Sequence, residues 1–135
     1  LNNSERKSEI PVFINSSAMI CNKNIRTELV NMEEFLARAK FTKNLFTISL
    51  DYATISDRAV FRNRKAGDFI APKGRGLTKP LRKLMSEMKI PAEKRDSAIL
   101  LADENNILWA EEIGVSEQCC VKNTTQKVLM IYIDE

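Results

Sequence analysis

Phe61-Arg62-Asn63-Arg64-Lys65-Ala66-Gly67-Asp68, followed by Pro72-Lys73-Gly74-Arg75-Gly76-Leu77-Thr78-Lys79-Pro80-Leu81, reads as a strand, a glycine-rich loop and the start of a helix. In the strand, taken from Ala59 to Arg64, period-two alternation turns Arg62 and Arg64 to one side and Phe61 and Asn63 to the other. The two arginines are therefore expected to share an exposed surface. Gly67-Asp68 turns the chain, with Asp68 expected to bond the backbone of its own turn, and Pro72 stiffens the entry to the loop. Thr78 is the predicted N-cap of a helix over Lys79–Lys89, in whose first turn Pro80 is tolerated. At about 100° per residue, Leu81, Leu84, Met85 and Met88 form a core-facing stripe, and Lys79, Arg82, Lys83 and Lys89 fall on the opposite side.

Residues 62–83 hold three of the chain's four glycines and eight of its twenty-one basic residues, against one acid, Asp68. A glycine-loosened loop exposes backbone N–H groups, and flanking cations add full charge, a combination suited to a polyanion such as RNA. The candidate binding residues are Arg62, Arg64 and Lys65 from the strand and turn, Lys73 and Arg75 from the loop, and Lys79, Arg82 and Lys83 from the helix. The positive end of that helix adds to them. Gly-Arg-Gly is no nucleotide-binding loop of the Walker A kind, which needs Gly-Lys-Ser/Thr at the helix start.

The formal net charge of +3 conceals a division. Arg58 to Arg95 contains twelve Lys/Arg and three acids, a local +9, so the remainder carries −6. Leu100 to Val121 has five acids and no Lys or Arg, which repels a phosphate backbone and confines a bound nucleic acid to one face. With 135 residues, 44% apolar and 29% charged, the chain has the size of one domain. Residues 1–9 read as a polar linker and 10–135 as a single domain, an expected piece of something longer. No apolar run approaches the ~20 residues that cross a bilayer. Three cysteines without a C-x-x-C pair indicate neither a disulfide framework nor a zinc knuckle, and fit a reducing cytoplasm. Histidine is absent, which removes catalytic triads and most zinc chemistry. No cofactor or metal is expected in this chain.

Elsewhere, Ile10–Ile14 and Ile25–Val30 are predicted to pair as a hairpin across a Ser/Asn-rich turn. Asn31, with Glu34 three residues on, is expected to cap a helix reaching Lys40. Leu45–Leu50 reads as a strand, residues 51–53 as a turn or a single helical turn, residues 99–102 and 107–110 as a hairpin, and Lys127–Ile133 as the closing strand. Pro91 ends or restarts the helix before it. Trp109, Cys119 and Cys120 are expected to pack rather than react.

The ordered series that begins at Phe61 continues through Lys89-Ile90-Pro91, Arg95-Asp96, Leu100-Leu101, Asp103, Ile107-Leu108-Trp109 and Gly114-Val115-Ser116-Glu117. Over residues 51–131 it resembles the C-terminal domain of bacterial tRNA(Ile)-lysidine synthetase. That resemblance implies an α+β fold of packed, sandwich-like β-sheets with two or three short helices, similar to a domain of the phenylalanyl-tRNA synthetase beta subunit. The family's enzyme uses ATP and Mg to join lysine to the wobble cytidine of tRNA(Ile). Its adenylation motif, Ser-Gly-Gly-x-Asp-Ser, does not occur here. The resemblance therefore implies a noncatalytic part that contacts the acceptor stem, with tRNA(Ile) and an N-terminal catalytic domain as partners and a homodimer left open. Arg62, Arg64, Lys65 and Lys79 match the family pattern, and Arg82 matches it more loosely. Phe69 stands where the family usually has arginine, Leu77 where glycine is common, Pro80 where lysine is frequent, and Glu111-Glu112 where Pro-Gly is usual. The alternative is a structural or protein-interaction domain bracing a catalytic domain or a dimer partner through its basic residues.

Overall fold

The computed structural model describes residues 9–41 and 48–134, with only the backbone of Phe41. In chain order they form β1 (Glu9–Pro11), β2 (Ser17–Ile20), β3 (Lys23–Asn31), α1 (Met32–Phe41), β4 (Ile48–Asp51), β5 (Val60–Arg62), β6 (Phe69–Ile70), β7 (Lys79–Pro80), α2 (Leu81–Glu87), α3 (Ala92–Ser97), β8 (Leu100–Asp103), β9 (Asn106–Ala110), β10 (Gly114–Val115) and β11 (Lys127–Asp134). Residues 1–8 of the expected linker and the opening of the strand expected from Leu45 lie outside the described residues; Glu9 already belongs to β1.

Alternation along β11 decides the layering. Leu129 and Ile131 point into a core shared with Phe61, Leu101, Leu108 and Trp109, whereas Val128 and Met130 point the other way, onto Val30 and the α1 residues Met32 and Phe35. Period two thus gives one strand two buried faces. β11 lies in an antiparallel sheet of order β2-β3-β11-β4, and the facing sheet has the order β1-β5-β8-β9-β6-β7 with β10 also on β9. On the far side of that larger sheet, Leu100, Ala102, Ile107 and Ala110 pack with Leu81, Leu84 and Met85 of α2. The result is the expected α+β sandwich, four layers deep: α1, the smaller sheet, the larger sheet, and α2. Among the described residues no helix is long and apolar enough to cross a membrane.

A bulge tunes the central core. Leu101 pairs with Trp109 but Ala102 pairs with Ile107, leaving Leu108 as the extra residue. Leu108 and Trp109 consequently share the intersheet core although they are consecutive. Asn31 caps α1 as expected, its Oδ1 accepting from the Glu34 N–H at 2.8 Å. Arg38 then ties α1 to the smaller sheet through a two-armed bond to Glu28 at 2.7 and 2.8 Å.

Two expectations fail here. Ile10–Ile14 does not form a hairpin with the following strand: β1 pairs with β5 in the larger sheet, Ile10 opposite Phe61. The hairpin partner of β3 is β2, joined through Cys21-Asn22, whose φ values of 51° and 68° are those of a two-residue turn that matches strand twist. The second failure is the start of α2. Lys79-Pro80 is extended and pairs with Ile70-Phe69 as β7, because a residue before proline is driven out of helical geometry. Pro80, not Thr78, holds the cap position, and it supplies no side-chain cap. The helix stops at Glu87 rather than Lys89. Lys89 adopts φ 59°, its N–H bonds Ser86 O, and Ile90 N–H bonds Met85 O, a left-handed close that leaves Met88 47% exposed.

Candidate nucleic-acid interface

Arg62 ends β5 on the face opposite Phe61, as alternation requires, yet it is 3% exposed. Its expected place on an open surface is corrected: that face of the larger sheet is itself covered. The guanidinium bonds both oxygens of Asp68, at 2.8 and 3.0 Å, and also the carbonyls of Asn63 and Glu104. Asp68 is 4% exposed and additionally accepts from the Lys65 N–H at 2.7 Å and Asn105 Nδ2 at 3.0 Å. Asp68 thus bonds its own turn, as expected, but its larger role is to clamp that turn to the β8–β9 connection through Arg62 and Asn105.

Burial alone pushes the Asp68 carboxyl up. Hydrogen bonds from Arg62, the Lys65 N–H and Asn105, with the Arg62 charge, outweigh it and hold the group below the ordinary carboxylate value. Because the unfolded chain takes up this proton first as pH falls, the clamp contributes fully above the ordinary value of about 4 and is lost through the lower folded value. Urea midpoints measured from about pH 7 to about pH 3 are expected to fall more steeply for the natural chain than for Asp68→Asn, which lacks this titration. Parallel curves would remove Asp68 from the acid response.

Three more of the candidate cations are engaged by acids that sequence spacing did not reveal. Arg64 meets Asp96 at 2.8 Å, Lys65 meets Glu9 at 3.2 Å, and Lys79 meets Glu87. Lys73, Arg75, Arg82 and Lys83 are exposed and make no ion pair among the described residues. The Glu87 carboxyl is held below its ordinary range by the Lys79 hydrogen bond first and then by the nearby charges of Lys79, Arg75 and Lys83. Loop, β7 and α2 therefore do bring three cations around one point. Arg64, Lys65 and Arg82 instead line a groove of about 700 Å³ with Asp96, Phe69 and Pro80. Lys73 and Arg75 rim a second groove of about 550 Å³, on the side of Leu84 and Met88. These cations thus divide between two grooves, and Arg62, buried behind Asp68, lines neither.

The glycine loop is built for conformation rather than room. Gly74 and Gly76 have φ 78° and 64°, and a Cβ at either would meet nothing within 4 Å. The Gly74 N–H is not open to a ligand: it donates to Glu117 Oε1, while the Glu117 N–H donates to Ala71 O at 2.7 Å. Glu117 lies in the acidic tract that sequence reading set against phosphate, and here it anchors the loop. The Leu81 N–H at the head of α2 is likewise taken, by Asp68 O at 2.9 Å. Neither of these two N–H groups is open to an anion. Cys119 is buried, and burial pushes its thiol above the ordinary range, which suits packing rather than nucleophilic attack.

Comparison with known proteins bears on this arrangement. Residues 60–132 match the family described as TilS substrate C-terminal domain. The chain is 38% identical to tRNA(Ile)-lysidine synthase of Clostridium perfringens over 100 residues, 74% of this chain and 21% of that one. It is 35% identical to the synthase of Caldanaerobacter subterraneus subsp. tengcongensis over 91 residues, 67% of this chain and 20% of that one. The chain therefore spans about a fifth of the length of these relatives. Its fold is similar to a crystal structure of the TilS C-terminal domain, with a TM-score of 0.68, 19% identity, and coverage of 93% of this chain and 95% of the other. It is also similar to an N-terminal fragment of the phenylalanyl-tRNA synthetase beta subunit from Pyrococcus horikoshii, with a TM-score of 0.52, 19% identity, and coverage of 74% and 31%. The match begins at the first residue of β5 and ends within β11, taking in the clamp, the loop, α2 and the strands beneath them. More than half of the sequence carries that pattern, and the chain belongs to the TilS substrate C-terminal domain family.

Proposed function

We propose that this chain is the noncatalytic tRNA-binding unit of a cytoplasmic tRNA(Ile)-lysidine synthase, holding the acceptor stem of tRNA(Ile). The observation that carries the reading is the set of exposed, unpaired cations Lys73, Arg75, Arg82 and Lys83 around the glycine loop and α2, in a chain whose sequence relatives are named for tRNA. Charged side chains without base-reading partners favour recognition through phosphates and stem shape. ATP, Mg and the ligation of lysine belong, on this reading, to a catalytic domain in the same enzyme. This part binds and positions the substrate.

Competition tests it. Labelled tRNA(Ile) bound to the 135-residue chain is challenged with heparin or unrelated duplex DNA at equal phosphate concentration. Retention of tRNA against both is expected. Equal displacement by any polyanion, or no complex at all, would favour the alternative of a protein-bracing surface.

A further inference from the structure

Phe69 is 39% exposed, on a two-residue strand whose other member, Ile70, is fully buried. It pairs directly with Pro80 across β6 and β7, so ring and proline share a face. Both line the groove walled by Arg64, Lys65 and Arg82. The backbone behind the ring is fixed: the Phe69 N–H donates to Asn105 O at 2.9 Å, and the preceding Asp68 is locked by Arg62. A partly exposed aromatic ring is therefore held at the groove on a fixed backbone.

Two features of the groove call for an anion beside that ring. Arg82 has no acid partner among the described residues, and Arg64 and Lys65 beside it are held only by surface carboxylates. The pairs Arg64–Asp96 and Lys65–Glu9 each leave a partially exposed cation, and such pairs exchange readily for phosphate, to which arginine binds with two arms. Asp96 opposes an anion at one wall, which places phosphate nearer Arg82 and Lys65.

The interior of a duplex stem offers this groove phosphates and 2′-hydroxyls but no base face, since each interior paired base is already stacked on both sides. An unpaired nucleotide offers a free base face together with phosphates on either side, and base-on-aromatic stacking within a cationic groove is how single strands are held. We propose that the groove is a subsite for one unpaired RNA nucleotide adjoining the bound stem, its base on Phe69 and its flanking phosphates on Arg82 and Lys65. The proposal rests on the tRNA-binding reading and adds to it a requirement for an unpaired base.

Two RNA hairpins with the same stem, one blunt and one with an unpaired 3′ extension, test it with the full 135-residue chain. Phe69→Leu keeps apolar bulk and removes the aromatic face. It is expected to weaken binding of the extended hairpin on the order of tenfold or more and to leave the blunt one unchanged. Phe69→Trp is expected to retain the extended hairpin, which quenches the new indole emission while the blunt hairpin does not. Equal effects of Phe69→Leu on both hairpins, or no effect on either, would overturn the subsite and leave the tRNA-binding reading intact. Failure of the natural chain to bind either hairpin would overturn both.

Discussion

Arg62→Ala is expected to destabilise the domain by about 3–5 kcal/mol in urea unfolding, the largest effect of any basic residue in the glycine-rich region. The change strands a buried Asp68 carboxylate and leaves the carbonyls of Asn63 and Glu104 without their guanidinium donor. Removing one partner of a buried pair costs far more than the pair's net worth, so Arg62→Met combined with Asp68→Leu is expected to recover much of the loss. Arg62→Lys keeps a charge but not the two-armed geometry, and is expected to fall in between. Arg64→Ala, which breaks an exposed pair, is expected to cost less than about 1 kcal/mol. Similar small costs for Arg62→Ala and Arg64→Ala would refute the clamp. Any loss of tRNA binding by Arg62→Ala should track its unfolded fraction, because the side chain does not reach the surface.

Replacing Lys73, Arg75, Arg82 and Lys83 together with alanine is expected to have the largest effect on binding and almost none on folding. All four are exposed and unpaired among the described residues, so each substitution should stay within about 0.5 kcal/mol of the natural stability. If they neutralise about four phosphates, tRNA affinity of the natural chain should drop on the order of a hundredfold between about 50 and about 200 mM salt. The fourfold variant should bind weakly at the lower salt and respond little to the higher. Alanine at Arg64, Lys65 and Lys79 is expected to do less, since each already faces a carboxylate that a phosphate must displace. A variant that kept the natural salt response would move the phosphate contacts elsewhere.

How much of this was legible in the sequence depends on the reach of periodicity. The Leu81, Leu84 and Met85 positions of the helical stripe, the single tryptophan and the Asn31 cap each encode a local preference that the packed domain satisfies, whereas Met88, expected in the same core-facing stripe, is 47% exposed. Alternation also put Arg62 on the correct side of its strand. It could not say that this side lies beneath another layer, and a sheet buried on both faces turns an outward arginine into an interior one. The acids that engage Arg64, Lys65 and Lys79 stand 32, 56 and 8 positions away, beyond any local spacing rule. The misplaced hairpin had a readable cue in Cys21-Asn22, since asparagine tolerates the left-handed backbone of a two-residue turn. The Lys79-Pro80 strand had one as well, in the restriction proline places on its predecessor. The binding region was legible as a density of charge; which of its members are free to bind depended on tertiary partners.

Backbone amide shifts of the isotopically labelled chain, followed as tRNA(Ile) is added, give the most direct measurement of where RNA lies. Perturbations concentrated at Lys73 to Gly76, at Arg82 and Lys83, and along the Arg64 to Gly67 turn are the expected result. Perturbations centred on α1 and the outer face of the smaller sheet, with residues 73–83 silent, would contradict it.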